Sequence, residues 1–358
     1  MISILLLLST LTFPSFATTE TPMLAVAPER PLRNPHLIEG TFRQPIDHTD
    51  PAGATFDQRY WYDSEFASGA DAPVIYHICG EGNAEDGYFL NDNAVEWAKS
   101  LKAHLVYLEH RDYGKSIPGG DLSSQNLRTL TLSNVLEDLA NFQKSFAALK
   151  GWTGRWLTVG GSYSGTLSAL YRQAHPELIV GALASSAPMI SPVTPDESQE
   201  EGDSSDVRSL SYTDASNDSG DRPWAYQACT TFGFWQASWS TIYHPSAWLC
   251  QQLFGQDVPL VNPEEYNTRF SAPFISSASD APSNILFTYG GNDIWTRIGF
   301  TSEMNQNPNI SIELIRGAGH HYDLNLPTPS DSAAVKHARA TFLNLAKGWL
   351  GRSTHSRQ

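Results

Sequence analysis

A chain of 358 residues with 41% hydrophobic side chains can fill one large α/β domain with an insertion, or two ordinary domains, which excludes disorder throughout. Its 38 acidic side chains outweigh 23 basic ones, leaving a net charge of −15. That balance argues against nucleic-acid binding, whose affinity rests on neutralising phosphates.

The first seventeen residues, MISILLLLSTLTFPSFA, hold an apolar run from Ile2 to Leu8, then Pro14, then small Ser15 and Ala17. This predicts a cleaved signal peptide over 1–17, and hence a secreted or lysosomal/vacuolar protein, although no Lys or Arg marks its start. The run is shorter than the roughly 18 apolar residues a bilayer span needs, and no later segment reaches that length, so no stable membrane insertion is expected. Residues 41–66, with FRQPIDH and FDQRYWY, predict an antiparallel strand pair at a sheet edge.

From residue 74, short apolar runs alternate with helical patterns. VIYHIC (74–79), LVYLEH (105–110), WLTVG (156–160) and VGALASS (180–186) read as strands, with helices near 91–103, 131–149 and 163–174 between them. Continuous apolar strands separated by helices describe a mostly parallel sheet covered on both faces. The alternation stops over 188–283 and resumes with ILFTYG (285–290), a strand near 310–315 and a terminal helix near 331–350.

The interruption opens on an acidic stretch, 196–221, with nine carboxylates against Arg208 and little to bury, which reads as a solvated linker. It lacks the alternate Asp/Asn spacing of a calcium loop, so no metal is expected. A Trp-rich stretch follows, with little strand character. The chain is thus divided into a core (41–188), a shortened, mainly helical cap insertion (189–283) and the rest of the core (284–350). Of three cysteines, Cys229 and Cys250 flank an aromatic-rich segment and are the expected bridge, whereas Cys79 ends a strand as a buried thiol. Asn217 and Asn309 stand in N-x-Ser glycosylation sequons.

GGSYSG (160–165) has the form G-x-S-x-G where a strand passes into a helix. That is the context of a nucleophile elbow, in which small neighbours let strand and helix nearly touch and the serine is held up at the sheet edge. A serine hydroxyl needs a base, and the base an orienting acid, in the chain order Ser, Asp/Glu, His. Asp293 follows the strand 285–290, and His320 and His321 follow the next one, in that order. His110 precedes Ser162 and is instead expected in a buried polar cluster with Glu109 and Arg111. The oxyanion hole would take the Tyr163 N–H and that of Glu81 or Gly82 from the CGEGN loop. The Glu81 carboxylate could also hold a substrate's amino group.

FDQRYWY, the G-E-G loop, VYLEHRDYGKS, GGSYSG, SSAP, WAYQACTTFGFWQ, ILFTYGGNDIW and GAGHHYDL run in consistent order through residues 41–345. Together they resemble the serine peptidase family of lysosomal prolylcarboxypeptidase, dipeptidyl peptidase II and fungal acid prolyl endopeptidases. The resemblance implies an α/β-hydrolase core with a helical cap, cleavage after proline, proline-containing peptide substrates and no cofactor. By motif it implies Ser162 as nucleophile, Asp293 as triad acid and His320 as general base, with His321 supporting them and Trp295 lining the proline pocket. The family pattern also pairs the cysteines at 229 and 250.

Relatives are longer, chiefly where the acidic stretch stands for most of the cap, so exo- versus endopeptidase action is open. Ile294 replaces a proline after the acid, Asp112 an aromatic after EHR, and Gly319 lengthens the turn before the histidines. Two rivals stand beside the peptidase: an esterase or lipase on the same core, and a non-catalytic binding relative with an incomplete cap.

Overall fold

A computed structural model describes residues 36–86, 90, 92–193, 213, 220–238 and 241–351. The expected signal peptide, most of the acidic stretch and the Asn217 sequon lie outside the described residues.

An eight-stranded sheet carries the fold. It comprises β1 (Ile38–Pro45), β2 (Thr55–Asp63), β3 (Val74–Ile78), β4 (His104–Leu108), β5 (Trp156–Gly161), β6 (Ile179–Ser185), β9 (Ile285–Gly290) and β10 (Ile310–Ile315). Their spatial order is β1-β2-β4-β3-β5-β6-β9-β10. The first two pair antiparallel at the edge, as the sequence predicts, and β2 meets β4 antiparallel. All remaining pairs are parallel.

Parallel neighbours require crossovers, and three helices supply them near the site. These are α1 (Ala94–Leu101), α2 (Leu132–Lys150) and α3 (Tyr163–Ala174). The Thr131 side chain accepts from the Asn134 N–H to start α2, and left-handed Gly151 ends it. Every residue of β3, β4, β5 and β9 is buried, which is why these strands read as unbroken apolar runs.

Successive strand residues feed opposite faces. Val74, Tyr76 and Ile78 pack with Phe142 and Phe146 of α2 and Leu167 of α3. Ile75 and Cys79 pack on the other face with Trp97 of α1 and with Phe342 and Trp349 of the C-terminal helix (Ala333–Gly351). Cys79 is free and buried, and burial pushes its thiol well above the usual range.

Between β6 and β9 the described chain forms a helix (Asp221–Gln227), a π-helical turn (Ala228–Phe232) and a helix (Ala247–Phe254). Cys229 and Cys250 are bridged there, with Cα atoms 5.7 Å apart. The sequence suggests little strand character in this region, yet β7 (Trp235–Ser238) and β8 (Thr241–Tyr243) pair as an antiparallel hairpin. Trp235, Thr241, Ile242 and Tyr243, four of the seven residues in these strands, are of types that favour strands. No helix among the described residues is long and apolar enough to cross a membrane.

Candidate active site

Ser162 stands between β5 and α3 with φ 57° and ψ −131°, a backbone conformation that a side chain rarely adopts. Its neighbours must be small. A Cβ on Gly160 would lie 2.1 Å from the Ser164 carbonyl oxygen, and one on Gly165 2.8 Å from that of Ser185. The turn is braced from both sides: Ser162 N–H donates to Ser185 O at 2.8 Å, and Ser164 Oγ donates to Gly161 O at 2.7 Å. The hydroxyl of Ser162 is thereby raised above the sheet edge, half-buried.

The two loops that follow β9 and β10 are tied together. Gly291 N–H donates to Ile315 O and Asn292 N–H to Ala318 O, both at 2.9 Å. Asp293 and His320 extend from these loops and meet, His320 Nδ1 to Asp293 Oδ2 at 2.9 Å. Ile294 and Gly319, which depart from the family pattern, leave that contact intact. Asp293 also accepts from the Trp295 N–H at 3.0 Å, and Ser186 hydrogen-bonds it from beyond β6. Burial works to raise the Asp293 carboxyl, but bonds from His320, Ser186 and Trp295 outweigh it and hold the group below its ordinary value. With Nδ1–H directed at the carboxylate, Nε2 of His320 is the nitrogen left to accept a proton.

His321 lies beside this pair. Its ring lies 4.5 Å from that of His320, and its N–H donates to Ser186 Oγ at 2.8 Å. Burial, and then repulsion from His320, depress its imidazole to about 4, so it stays neutral.

Ser162 and His320 line one cavity of about 330 Å³, shared with Glu81 and Trp295. Trp224, Trp235 and Asp221 complete the described walls. A larger cavity, about 720 Å³, lies between α2 and the segment 226–270 and contains none of the sequence-predicted site residues. The smaller one is therefore the cavity that holds the sequence-predicted residues. The Ser162 hydroxyl donates to Glu81 Oε1 at 3.5 Å. Burial raises the Glu81 carboxyl, against the lowering effects of its own backbone N–H, of His320 and of Ser162.

The loop carrying Glu81 is anchored by a buried ion pair. Arg59 of β2 donates twice to Glu109, Nε at 2.9 Å and Nη2 at 2.6 Å, and the Ala84 N–H donates to the same carboxylate at 3.2 Å. Within the loop, Gly82 N–H donates to Gly80 O at 3.0 Å.

His110 is buried as expected and bonds Arg111, one of its two anticipated neighbours, while its second partner, Tyr163, was not anticipated. Its Nδ1 binds the Arg111 carbonyl at 2.6 Å and its Nε2 meets the Tyr163 hydroxyl at 2.8 Å. Gln227 Nε2 donates to the same hydroxyl at 2.8 Å, and Tyr113 donates to Gln227 Oε1 at 2.6 Å. Burial depresses His110 to about 4, in keeping with a neutral ring that accepts from Tyr163. This chain ties the first residue of α3 to the insertion helix.

Two functional candidates escaped the sequence reading. Ser186 lies within the quoted SSAP, and Asp323, within GAGHHYDL, accepts from Ser185 at 2.5 Å and Thr288 at 2.8 Å beneath the site. Their motifs were visible, but only the folded sheet brings β6, β9 and the β10 loop side by side. Asn309 is exposed just before β10, and its sequon runs into that strand.

Strand order, edge antiparallel pair and strained serine turn together define an α/β hydrolase. Solved structures with similar coordinates include Est1E from Butyrivibrio proteoclasticus (TM-score 0.48, 14% identity, 87% of this chain and 100% of that one). The chain belongs to the serine carboxypeptidase S28 family, whose model matches residues 44–200 and 196–342. Thymus-specific serine protease of Mus musculus is 36% identical over 154 residues, covering 42% of this chain and 30% of the relative. Lysosomal Pro-X carboxypeptidase of Mus musculus is 35% identical over 192 residues, covering 51% and 37%. The matched stretch thus spans about a third of the length of these curated relatives.

Proposed function

We propose that the protein is a serine peptidase that hydrolyses peptide bonds after proline through an acyl-enzyme on Ser162. The observation that carries this reading is the 2.9 Å contact of His320 Nδ1 with Asp293, in the cavity into which the Ser162 elbow opens. In this mechanism the Ser162 hydroxyl turns from Glu81 to His320 Nε2 and gives up its proton as Oγ attacks the substrate carbonyl. The imidazolium passes that proton to the leaving amine. Water then attacks the acyl-enzyme, again with His320 as base, and frees Ser162. Asp293 fixes the tautomer and stabilises the imidazolium throughout.

The developing oxyanion would receive the Tyr163 N–H, unpartnered by its helix at the first position of α3, and the Glu81 N–H. Gly82 is the less suited donor, since its N–H is engaged by Gly80 O. Proline specificity rests on the family resemblance, on the relative named for Pro-X cleavage and on Trp295. The indole ring centre of Trp295 lies 6.3 Å from that of His320, beside the reacting atoms, where a flat apolar wall suits a pyrrolidine ring. Export through a signal peptide to a secreted or lysosomal compartment accords with the same relative and with the disulfide.

Treatment with a fluorophosphonate probe, followed by peptide mapping, tests the assignment. An adduct on Ser162 and turnover of prolyl peptides are expected. No adduct on Ser162 between acidic and neutral pH would overturn the enzyme reading, and turnover of short esters alone would overturn the specificity.

A further inference from the structure

We propose that Asp323 is a positioning residue for the reaction, whose carboxylate fixes the loop bearing His320 against the strands that brace Ser162 and lead to Asp293. The inference rests on Ser162, His320 and Asp293 acting as nucleophile, base and acid, and deepens that reading by naming what holds the base in place.

The first argument is register. Ser185 of β6 and Thr288 of β9 are partners in the parallel pairing of these strands, so their side chains emerge side by side on one face of the sheet. Asp323 reaches across both. One carboxylate oxygen accepts from Ser185 Oγ at 2.5 Å and the other from Thr288 Oγ1 at 2.8 Å. A single side chain of the loop that carries the base thus bridges two strands.

The second argument is what lies behind each strand residue. The Ser185 carbonyl accepts the Ser162 N–H at 2.8 Å, so the residue bonded to Asp323 also braces the strained turn. Thr288 O accepts the Ser186 N–H at 2.6 Å, and Ser186 Oγ in turn accepts the His321 N–H at 2.8 Å. These bonds close a ring through Asp323, Thr288, Ser186 and His321. The loop also presses on the elbow: a Cβ on Gly161 would lie 2.7 Å from the Leu324 side chain and 3.1 Å from that of His321. A shift of the loop therefore changes the separation between His320 and Ser162.

The third argument is chemical cost. The Asp323 side chain is buried, and burial raises its carboxyl, with the bonds from Ser185 and Thr288 the largest effects opposing it. Arg339 binds the Asp323 backbone carbonyl at 2.9 Å but pairs its charge with Asp331. An apolar side chain would pack here at less cost in desolvation. Two hydrogen bonds supply what packing does not, a fixed direction, and alignment of base with nucleophile is where direction governs rate. The remaining ties, from Arg339 and from the Asn93 N–H to Leu324 O at 2.7 Å, fasten the loop to helices rather than to the strands that hold the triad.

The test follows fluorophosphonate inactivation of the full chain over a range of probe concentrations, separating the maximal rate from the half-saturating concentration. Wild type, Asp323→Ala, Ser185→Ala and the double variant are compared. Asp323→Ala should lower the maximal rate about a hundredfold, the cost of a misplacement near 1 Å, with the half-saturating concentration little changed. Ser185→Ala, which keeps the Thr288 bond, should lower it about tenfold, and Asp323→Asn, which can still bond a hydroxyl, should recover about tenfold of the larger loss. The double variant should be no slower than Asp323→Ala, because both losses act through one contact. A merely structural loss would lower the thermal midpoint and the number of molecules that label, without slowing those that do. A maximal rate equal to wild type in folded Asp323→Ala, or losses that multiply in the double variant, would overturn the proposal and leave Ser162 as nucleophile. Should Asp323→Ala fail to fold, an unchanged rate in Ser185→Ala overturns it alone. No adduct on Ser162 in the wild type removes the reading beneath it.

Discussion

His320 and Asp293 come from loops after neighbouring parallel strands and meet at 2.9 Å, with the acid almost wholly covered and the imidazole partly open to the cavity. The asymmetry is useful: a covered carboxylate holds its charge against one nitrogen, while the other nitrogen is left to exchange protons. Asp293→Asn retains the shape and loses the charge and the imposed tautomer. It should lower kcat by about 10³- to 10⁴-fold with little change in the far-UV spectrum. A steady-state comparison checks this, and a loss below tenfold would contradict the role.

Asp112 gives a pH dependence of stability. The carboxyl is buried, neither oxygen has a hydrogen-bond partner, and its backbone is left-handed at φ 66°. Burial, only partly opposed by Arg111, pushes it up to about 8. The folded chain therefore holds a proton that the unfolded chain releases above about pH 4. This stabilisation is complete below the unfolded value, declines as pH rises and is lost by about pH 8. Asp112→Asn should raise stability near pH 8 by up to about 5 kcal/mol and flatten the profile between pH 4 and 8. Urea titrations at four pH values check it.

The elbow admits no side chain at Gly160. Gly160→Ala places a methyl 2.1 Å from a backbone oxygen of the facing helix turn, which cannot retreat without moving Ser162. A cost of about 2–4 kcal/mol and loss of Ser162 labelling are expected. Thermal unfolding with and without the probe separates the two effects.

The bridge between Cys229 and Cys250 closes a loop with a sequence separation of 21 residues and fastens the insertion helix whose Gln227 holds Tyr163. Cys250→Ser should cost about 2–4 kcal/mol of stability. It should also slow acylation by loosening Tyr163, the oxyanion donor of the proposed mechanism. Denaturant unfolding and labelling rates measure each consequence.

Strands were legible because burial on both faces leaves unbroken runs such as VIYHIC and ILFTYG, and these match β3 and β9 closely. The elbow was legible because close approach of strand and helix demands glycine. By contrast, the hairpin over 235–243 is short, and its aromatic residues resemble those of any packed insertion. The Glu81 contact with Ser162 and the part of Ser186 depend on loops meeting across the sheet, 81 residues apart in the first case. His110 was seen as buried, yet its bond to Tyr163 crosses 53 residues and has no local signal. Groups that each carry a motif at a strand end, as Ser162, Asp293 and His320 do, could be read from the chain, whereas contacts whose partners carry no local motif could not.

The measurement that bears most directly on the Ser162, His320 and Asp293 assembly is the rate of fluorophosphonate labelling in the wild type and in His320→Ala, with the adduct mapped. The account predicts an adduct on Ser162 in the wild type and a rate at least about 10³-fold lower in the variant. Equal rates, or an adduct on another residue, would contradict it.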